Sequence, residues 1–166
     1  MSQFLSTDKQ ALQRLIVTRL TADLDVAQRA AQTAYETATH EENVAENKYD
    51  TLGLEASYLA TGQARRTDEI REALQLYHRL PLPDFGATTG IVTGALITLE
   101  AENGDLQHVF LGPDAAGLKI DLHGQVVTII TTRSPLGQAL LGKLTDEEVC
   151  VTVGKMLRCR VIVHIV

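Results

Sequence analysis

The chain has 166 residues, 45% of them apolar but only 4% aromatic and none of them Trp, with a formal charge of −6 and a pI near 5.3. A chain of this length holds one or two small domains, and a core without large rings must be filled by Val, Ile, Leu and Ala, which suits helix seams and small sheets. The acidic balance argues against an electrostatic grip on bare nucleic acid, which needs clustered Lys and Arg, and leaves open a protein partner that itself holds nucleic acid.

The first residues, Met1 to Thr7, are short and mixed and do not read as an export signal. No run approaches the roughly 20 apolar residues that span a bilayer, so no membrane association is expected. Cys150 and Cys159 fit a reducing cytosol and stand at no metal-ligand spacing. The expectation is a soluble cytoplasmic protein without a cofactor of its own.

The texture changes near Leu80. Between Thr7 and Arg79 there is no Pro, and the only glycines are Gly53 and Gly62, among many Ala, Leu, Glu, Gln and Arg. Thr7 reads as an N-cap, with Gln10 completing a capping box. Leu20, Leu24, Ala27, Ala31, Ala34 and Ala38 recur at steps of four and three, and Leu12 and Ile16 extend that face. A second seam runs through Leu52, Ala56, Leu59, Gln63, Arg66, Ile70, Ala73 and Tyr77. Two amphipathic helices joined near His40 to Asn43 predict an antiparallel coiled-coil hairpin over 1–80, its tip at about 40–46. At 1.5 Å rise per residue, helices of roughly 32 residues make a rod about 48 Å long, thin where its seam is Ala.

After Pro81 and Pro83, a linker over 81–87 leads into a β-rich domain over 88–166. GALITLEA, Gly94 to Ala101, alternates apolar and polar, and Asn103-Gly104 signals a hairpin turn. Gln107 to Leu111 forms the return strand, and Val126 to Thr131 a central one. Ser134 at N-cap and Pro135 at N1 open a short helix, Leu136 to Leu141, with Gly142 at its C-cap. Val149 to Val153 and Leu157 to Val166 make a final hairpin. Pairing Val149, Val151 and Val153 with the face of Leu157, Cys159, Val161, Val163 and Ile165 requires a three-residue turn, Gly154 to Met156. Cys159 then faces the core and Cys150 faces away, which disfavours a disulfide. The fold class is therefore α+β, a helical hairpin followed by a β-rich domain with one short helix.

Several of these segments resemble the bacterial Gre transcript cleavage factors. SPLGQALLGK, from Ser134 to Lys143, is the most specific match, preceded by GALITLEAENGD. NVAENKYDTLGLEASYLATGQ resembles the family's hairpin tip, with Glu46-Asn47, Glu55 and Gly62 in register. The resemblance implies an FKBP-like C-terminal domain without isomerase activity that docks at the rim of the secondary channel of bacterial RNA polymerase. Docking through the loop around the Ser-Pro pair maps onto Arg133, Ser134 and Pro135. The hairpin would enter the channel as a monomer, and tip carboxylates would help hold the polymerase's second Mg²⁺, a hard cation that takes oxygen ligands. No catalytic residue of its own and no stably bound metal are implied.

The tip departs from the family pattern, which has an Asp and a Glu three apart: here those positions are Asn43 and Glu46. A neutral amide oxygen is a weaker Mg²⁺ ligand, so weak or absent cleavage stimulation is expected unless Glu41 and Glu42 substitute. The plainer reading of these acids is a solvated helix end. Arg65, Arg66 and Arg29 are candidates for approaching the RNA 3′ end. The plainer reading is a wet helix face, and Arg66 lies where it could pair with Asp23 or Asp25. A channel-occupying paralogue that restrains or competes without stimulating cleavage is the alternative function. A prolyl isomerase lacks the aromatic lining, since only Phe85 and Phe110 follow Pro81. A structural coiled-coil dimerisation module conflicts with a hairpin that already satisfies its own apolar stripes.

Overall fold

The computed structural model describes residues 3–40 and 51–166, apart from the side chain of Leu52. Its elements are α1 (Ser6–Thr39), α2 (Thr51–Arg79), β1 (Leu96–Ala101), β2 (Leu106–Leu111), β3 (Lys119–Leu122), β4 (Gln125–Ile130), α3 (Pro135–Leu140), β5 (Glu148–Val153) and β6 (Met156–Ile165). The class is α+β, as the sequence predicts. The chain forms two compact units, one of Val17–Gln75 and the other of Met1–Ile16 with Leu76–Val166. The sheet unit thus takes in the first turns of α1 and the last of α2, which a division at Leu80 assigns to the hairpin.

In the helical unit the α1 seam follows the predicted spacing, with Leu20, Ala27 and Ala34 buried. The α2 seam is one position off in two turns. Leu59 is exposed and Arg66 points to solvent, whereas Ala56, Thr67, Ile70, Ala73 and Leu74 are buried. A buried Thr67 is tolerable because its hydroxyl donates to the Gln63 carbonyl at 2.9 Å. Side chains of α1 between Gln28 and Tyr35 and of α2 between Ala60 and Arg71 line one shared groove, so the two helices lie side by side.

The sheet is six-stranded and mixed, in the order β3-β4-β2-β1-β6-β5, with β2 and β4 parallel and every other neighbouring pair antiparallel. β3 is an addition to the predicted strands. Its signal is the alternation in KIDL followed by His123-Gly124, both at positive φ (57° and 79°), the requirement of a tight primed hairpin turn. β1 is buried on both faces. Ile97 and Leu99 join Val109, Leu111, Val149, Ile162 and Leu140 in the core on the α3 side.

The other face is covered by the chain's first turns. The Phe4 ring stands edge-on to His108 at 4.9 Å, and His164 Nε2 lies 2.9 Å from the Phe4 carbonyl. The α1 cap is set here, and not at Thr7. Asp8 carboxylate reaches back to the Leu5 amide at 2.7 Å while the Asp8 amide donates to the Leu5 carbonyl. Asp8 thus does what Gln10 was expected to do, three residues after a cap at Leu5. Asp8 also meets His123 Nε2 at 3.0 Å, which ties that start of α1 to the β3–β4 turn.

The linker stretch 81–87 is anchored to the start of α1. Buried Lys9 donates to the Pro83 carbonyl and stands over the Phe85 ring, 4.9 Å from its centre. Desolvation lowers the Lys9 pKa, against a smaller opposing pull from Asp84. Nearby, fully buried Tyr77 donates its hydroxyl to the Asp114 carbonyl at 2.8 Å. Burial, aided by Asp114, pushes the phenol pKa upward, so it stays a donor at all physiological pH. Gly112 is required beside it, because a Cβ there would lie 2.2 Å from the hydroxyl.

Two outcomes follow. Tyr77→Phe removes the donor to the part-buried Asp114 carbonyl, so urea unfolding should show a loss of about 1 kcal/mol. Burial lowers the His108 pKa, so the folded state binds its proton less readily than the unfolded chain. The contribution of His108 is fully present above the ordinary His value, about 6.5, and declines as pH falls below it. His108→Gln should flatten that part of the stability–pH profile measured by thermal melting.

Candidate functional site

The predicted docking residues sit on a rigid corner between β4 and α3. Ser134 has extended backbone angles (φ −80°, ψ 150°) and caps α3, its hydroxyl accepting from the Gly137 amide at 3.1 Å. The same hydroxyl donates to the Thr131 carbonyl at 2.8 Å. Pro135 follows in the first helical turn, where its missing N–H is no loss. Gly137 is dictated by space, since a Cβ would lie 2.0 Å from the Thr131 oxygen. The Arg133 guanidinium reaches the Asp114 carboxylate at 3.2 Å, on a side chain that is 74% exposed. Exposed pairs of this kind contribute about 0–1 kcal/mol, so Arg133 can exchange partners at little cost. Past α3, Lys143 pairs with Glu147 at 3.1 Å rather than acting on the helix terminus alone. Hydrogen bonds from the Leu144 amide and Lys143 hold the Glu147 carboxyl below its ordinary pKa.

Ser134, Pro135 and Leu136 form one lip of a groove of about 330 Å³. The opposite side is the edge hairpin, supplying Val149, Val151, Thr152 and Val153 with Arg158 and Arg160, and Ile130 and Gln107 complete the lining. Arg160 donates to the Gln107 side-chain oxygen, and neither arginine makes an ion pair among the described residues. The groove is therefore apolar, with two cations that lack acidic counterparts. A ligand surface with a protruding apolar side chain and nearby carboxylates would complement it.

The sequence pattern does not single out Arg158 and Arg160, because matching of apolar faces predicts a different register for the last hairpin from the one that forms. Gly154-Lys155 is a two-residue turn, with Gly154 at φ 64°, and Val153 pairs with Met156. That places Val149 opposite Arg160 and Val151 opposite Arg158. The three-residue turn expected for matching two apolar faces does not form. A slip of one residue exchanges the two faces of a strand. The apolar set of Leu157, Cys159 and Val161 consequently shares the outer face with Glu148, Cys150 and Thr152. Cys150 and Cys159 are cross-strand partners, joined by a disulfide, contrary to expectation.

The candidate tip residues Glu41, Glu42, Asn43 and Glu46 lie outside the described residues. The candidate RNA-facing arginines are on the helical unit, each in an ion pair on its own helix. Arg29 meets Asp25 at 2.5 Å, and Arg65 and Arg66 share Glu69 at 3.3 and 3.7 Å. The expected pairing of Arg66 with Asp23 or Asp25 does not occur, since Asp23 is held by Arg19 and Asp25 by Arg29. Local i,i+3 and i,i+4 geometry is the simpler way to bring these charges together. No described helix is long and apolar enough to cross a membrane.

No family model matches the chain, and no curated protein matches it. Among solved structures it is similar to the GreA factor homolog 1 (Gfh1) protein of Thermus thermophilus, with 22% identity over 90% of this chain and 93% of that one and a TM-score of 0.38. Gfh1 of Thermus aquaticus gives 22% identity, 89% and 92% coverage, and a TM-score of 0.38. The transcription elongation factor GreA/GreB from Nitrosomonas europaea gives 19% identity, 58% and 78% coverage, and a TM-score of 0.37.

The rigidity of the corner is open to direct measurement. Ser134→Ala should lower unfolding free energy by about 1 kcal/mol through the lost cap. Gly137→Ala, which forces a carbon against the Thr131 carbonyl, should cost about 1–3 kcal/mol. Equal urea midpoints for the two variants and the parent protein would contradict this account.

Proposed function

We propose that this protein is a transcription elongation factor of the Gre type that docks on RNA polymerase through the groove beside Ser134 and Pro135. The observation that carries the reading is the convergence of the Ser134-Pro135 corner, an apolar channel and two uncompensated arginines in one place. The sequence resemblance of SPLGQALLGK and of the hairpin supplies the identity of the partner. On this reading the sheet unit is FKBP-like in fold and anchors the factor at the rim of the secondary channel. The hairpin tip enters the channel, and Glu46, with Glu41 and Glu42 nearby, offers carboxylates to the polymerase's Mg²⁺. Arg29, Arg65 and Arg66 would exchange their local carboxylate partners for RNA phosphate near the 3′ end. The protein acts as a monomeric cytoplasmic accessory factor and brings no cofactor of its own.

Asn43 favours a factor that occupies the channel and restrains synthesis over one that cleaves well, because a carboxamide holds Mg²⁺ less strongly than a carboxylate. The reading is tested with purified core polymerase. The wild-type protein should co-purify with it, and Arg158→Glu combined with Val151→Asp should weaken binding at least tenfold, that is, by about 1.4 kcal/mol or more. In backtracked complexes RNA shortening should be slow. Absence of polymerase binding overturns the proposal, and efficient shortening unaffected by Glu46→Ala overturns the assignment of the tip.

A further inference from the structure

We infer that Cys150, Cys159 and Glu148 form a Zn²⁺ site on the outer face of the β5–β6 hairpin whenever the disulfide is opened to the dithiol. The three side chains are brought together by register alone. Cys150 and Cys159 are directly opposed, with Cα atoms 4.0 Å apart. Glu148 lies two residues before Cys150 and so on the same face of the strand. One ligand atom from each of the three lies within 4.8 Å of the others. Glu148 and Cys150 are exposed and Cys159 half-buried, so an ion can enter from solvent.

Coordination chemistry fits that spacing. Two Zn–S bonds of about 2.3 Å at a tetrahedral angle separate the sulfurs by about 3.8 Å, and a carboxylate oxygen at about 2.1 Å from the metal lies about 3.6 Å from each sulfur. Rotation about the cysteine Cα–Cβ bonds is enough to move the sulfurs from a bonded pair to that separation. Two thiolates and a carboxylate, with a water as fourth ligand, are a donor set that favours Zn²⁺ over Mg²⁺ or Ca²⁺. Arg158 and Arg160 flank Cys159 in sequence, line the groove on the opposite face and also border a shallow pocket beside Cys159, but they offer no ligand atom, and the donors are those of Glu148, Cys150 and Cys159.

The chemistry balances with an external dithiol as reductant. The disulfide accepts two electrons and two protons from it, becoming two thiols while the dithiol becomes a disulfide. Zn²⁺ then displaces one proton from each thiol, giving two thiolate–metal bonds and releasing two protons. The oxidised pair has no thiolate to offer, so the metal site and the disulfide are mutually exclusive.

The test uses the full chain reduced with a water-soluble phosphine, which takes up oxygen from water as the disulfide opens, followed by removal of excess reagent under inert gas. Titration with Co²⁺ alone should produce a thiolate-to-cobalt charge-transfer band saturating at one ion per chain and bleached by Zn²⁺. The oxidised protein and the Cys150→Ser variant should show no such band. Glu148→Gln, an exposed change, should weaken Co²⁺ binding by roughly tenfold or more. A reduced wild-type protein without the band, saturation at one ion per two chains, or unchanged affinity in Glu148→Gln each overturns the site.

Discussion

The register of the β5–β6 hairpin is the constraint on which the candidate site depends. Gly154 at positive φ lets the chain reverse in two residues, and this fixes which face every side chain of both strands occupies. The result places Val149 and Val151 on the α3 side together with Arg158 and Arg160, and both cysteines on the other. A turn one residue longer would have put Leu157 and Cys159 into the groove and the arginines outside. It would have given a more apolar surface without cationic character and no cross-strand cysteine pair. The groove and the cysteine pair are thus two consequences of one turn, on opposite faces of the same hairpin.

A second constraint explains why the chain's first residues belong with the sheet. β1 lies inside the sheet, and both of its faces must be covered. α3 and the segment carrying Ile91 cover one side. The other needs the opening turns of α1, which arrive with Phe4 against His108 and Asp8 against His123. The burial of Lys9 follows from this packing. Among the described residues its ammonium makes no ion pair; it meets the Pro83 carbonyl and the Phe85 ring, with a weaker pull from Asp84.

Local signals in the sequence were sufficient for most of the architecture. The heptad steps of α1, the break at Pro81 and Pro83, the Asn103-Gly104 turn and the Ser134-Pro135 cap each depend on neighbours within a few residues, and each is present in the structure. Failures occurred where two local signals competed. At the last hairpin, matching of apolar faces favoured a three-residue turn, while Gly154-Lys155 favoured two, and the turn prevailed because its backbone geometry is stricter than the packing preference of an edge strand. With it went the assignments of Cys150, Cys159, Arg158 and Arg160. The α2 seam erred at Leu59 and Arg66 because spacing alone cannot rank Ala60 and Thr67, small enough for a tight seam, above larger neighbours. Packing against the partner helix decides that choice, and it is not written in α2 alone.

The distribution of charge argues that the two units present different surfaces to a partner. On the helices, Arg19, Arg29, Arg65, Arg66 and Arg71 are each matched by an Asp or Glu three or four residues away, so these stretches carry little local net charge. Such pairs contribute only about 0.3–0.5 kcal/mol, and a phosphate can displace the carboxylate without disturbing the helix. In the groove the situation is reversed. Among the described residues Arg158 and Arg160 have no carboxylate to give up, so a carboxylate arriving on a partner gains attraction without breaking an ion pair among them. An acidic chain of formal charge −6 would otherwise repel an acidic surface at long range. Unmatched cations beside an apolar channel give this patch a complementarity to a surface that offers a carboxylate and an apolar side chain together, which general basicity would not provide.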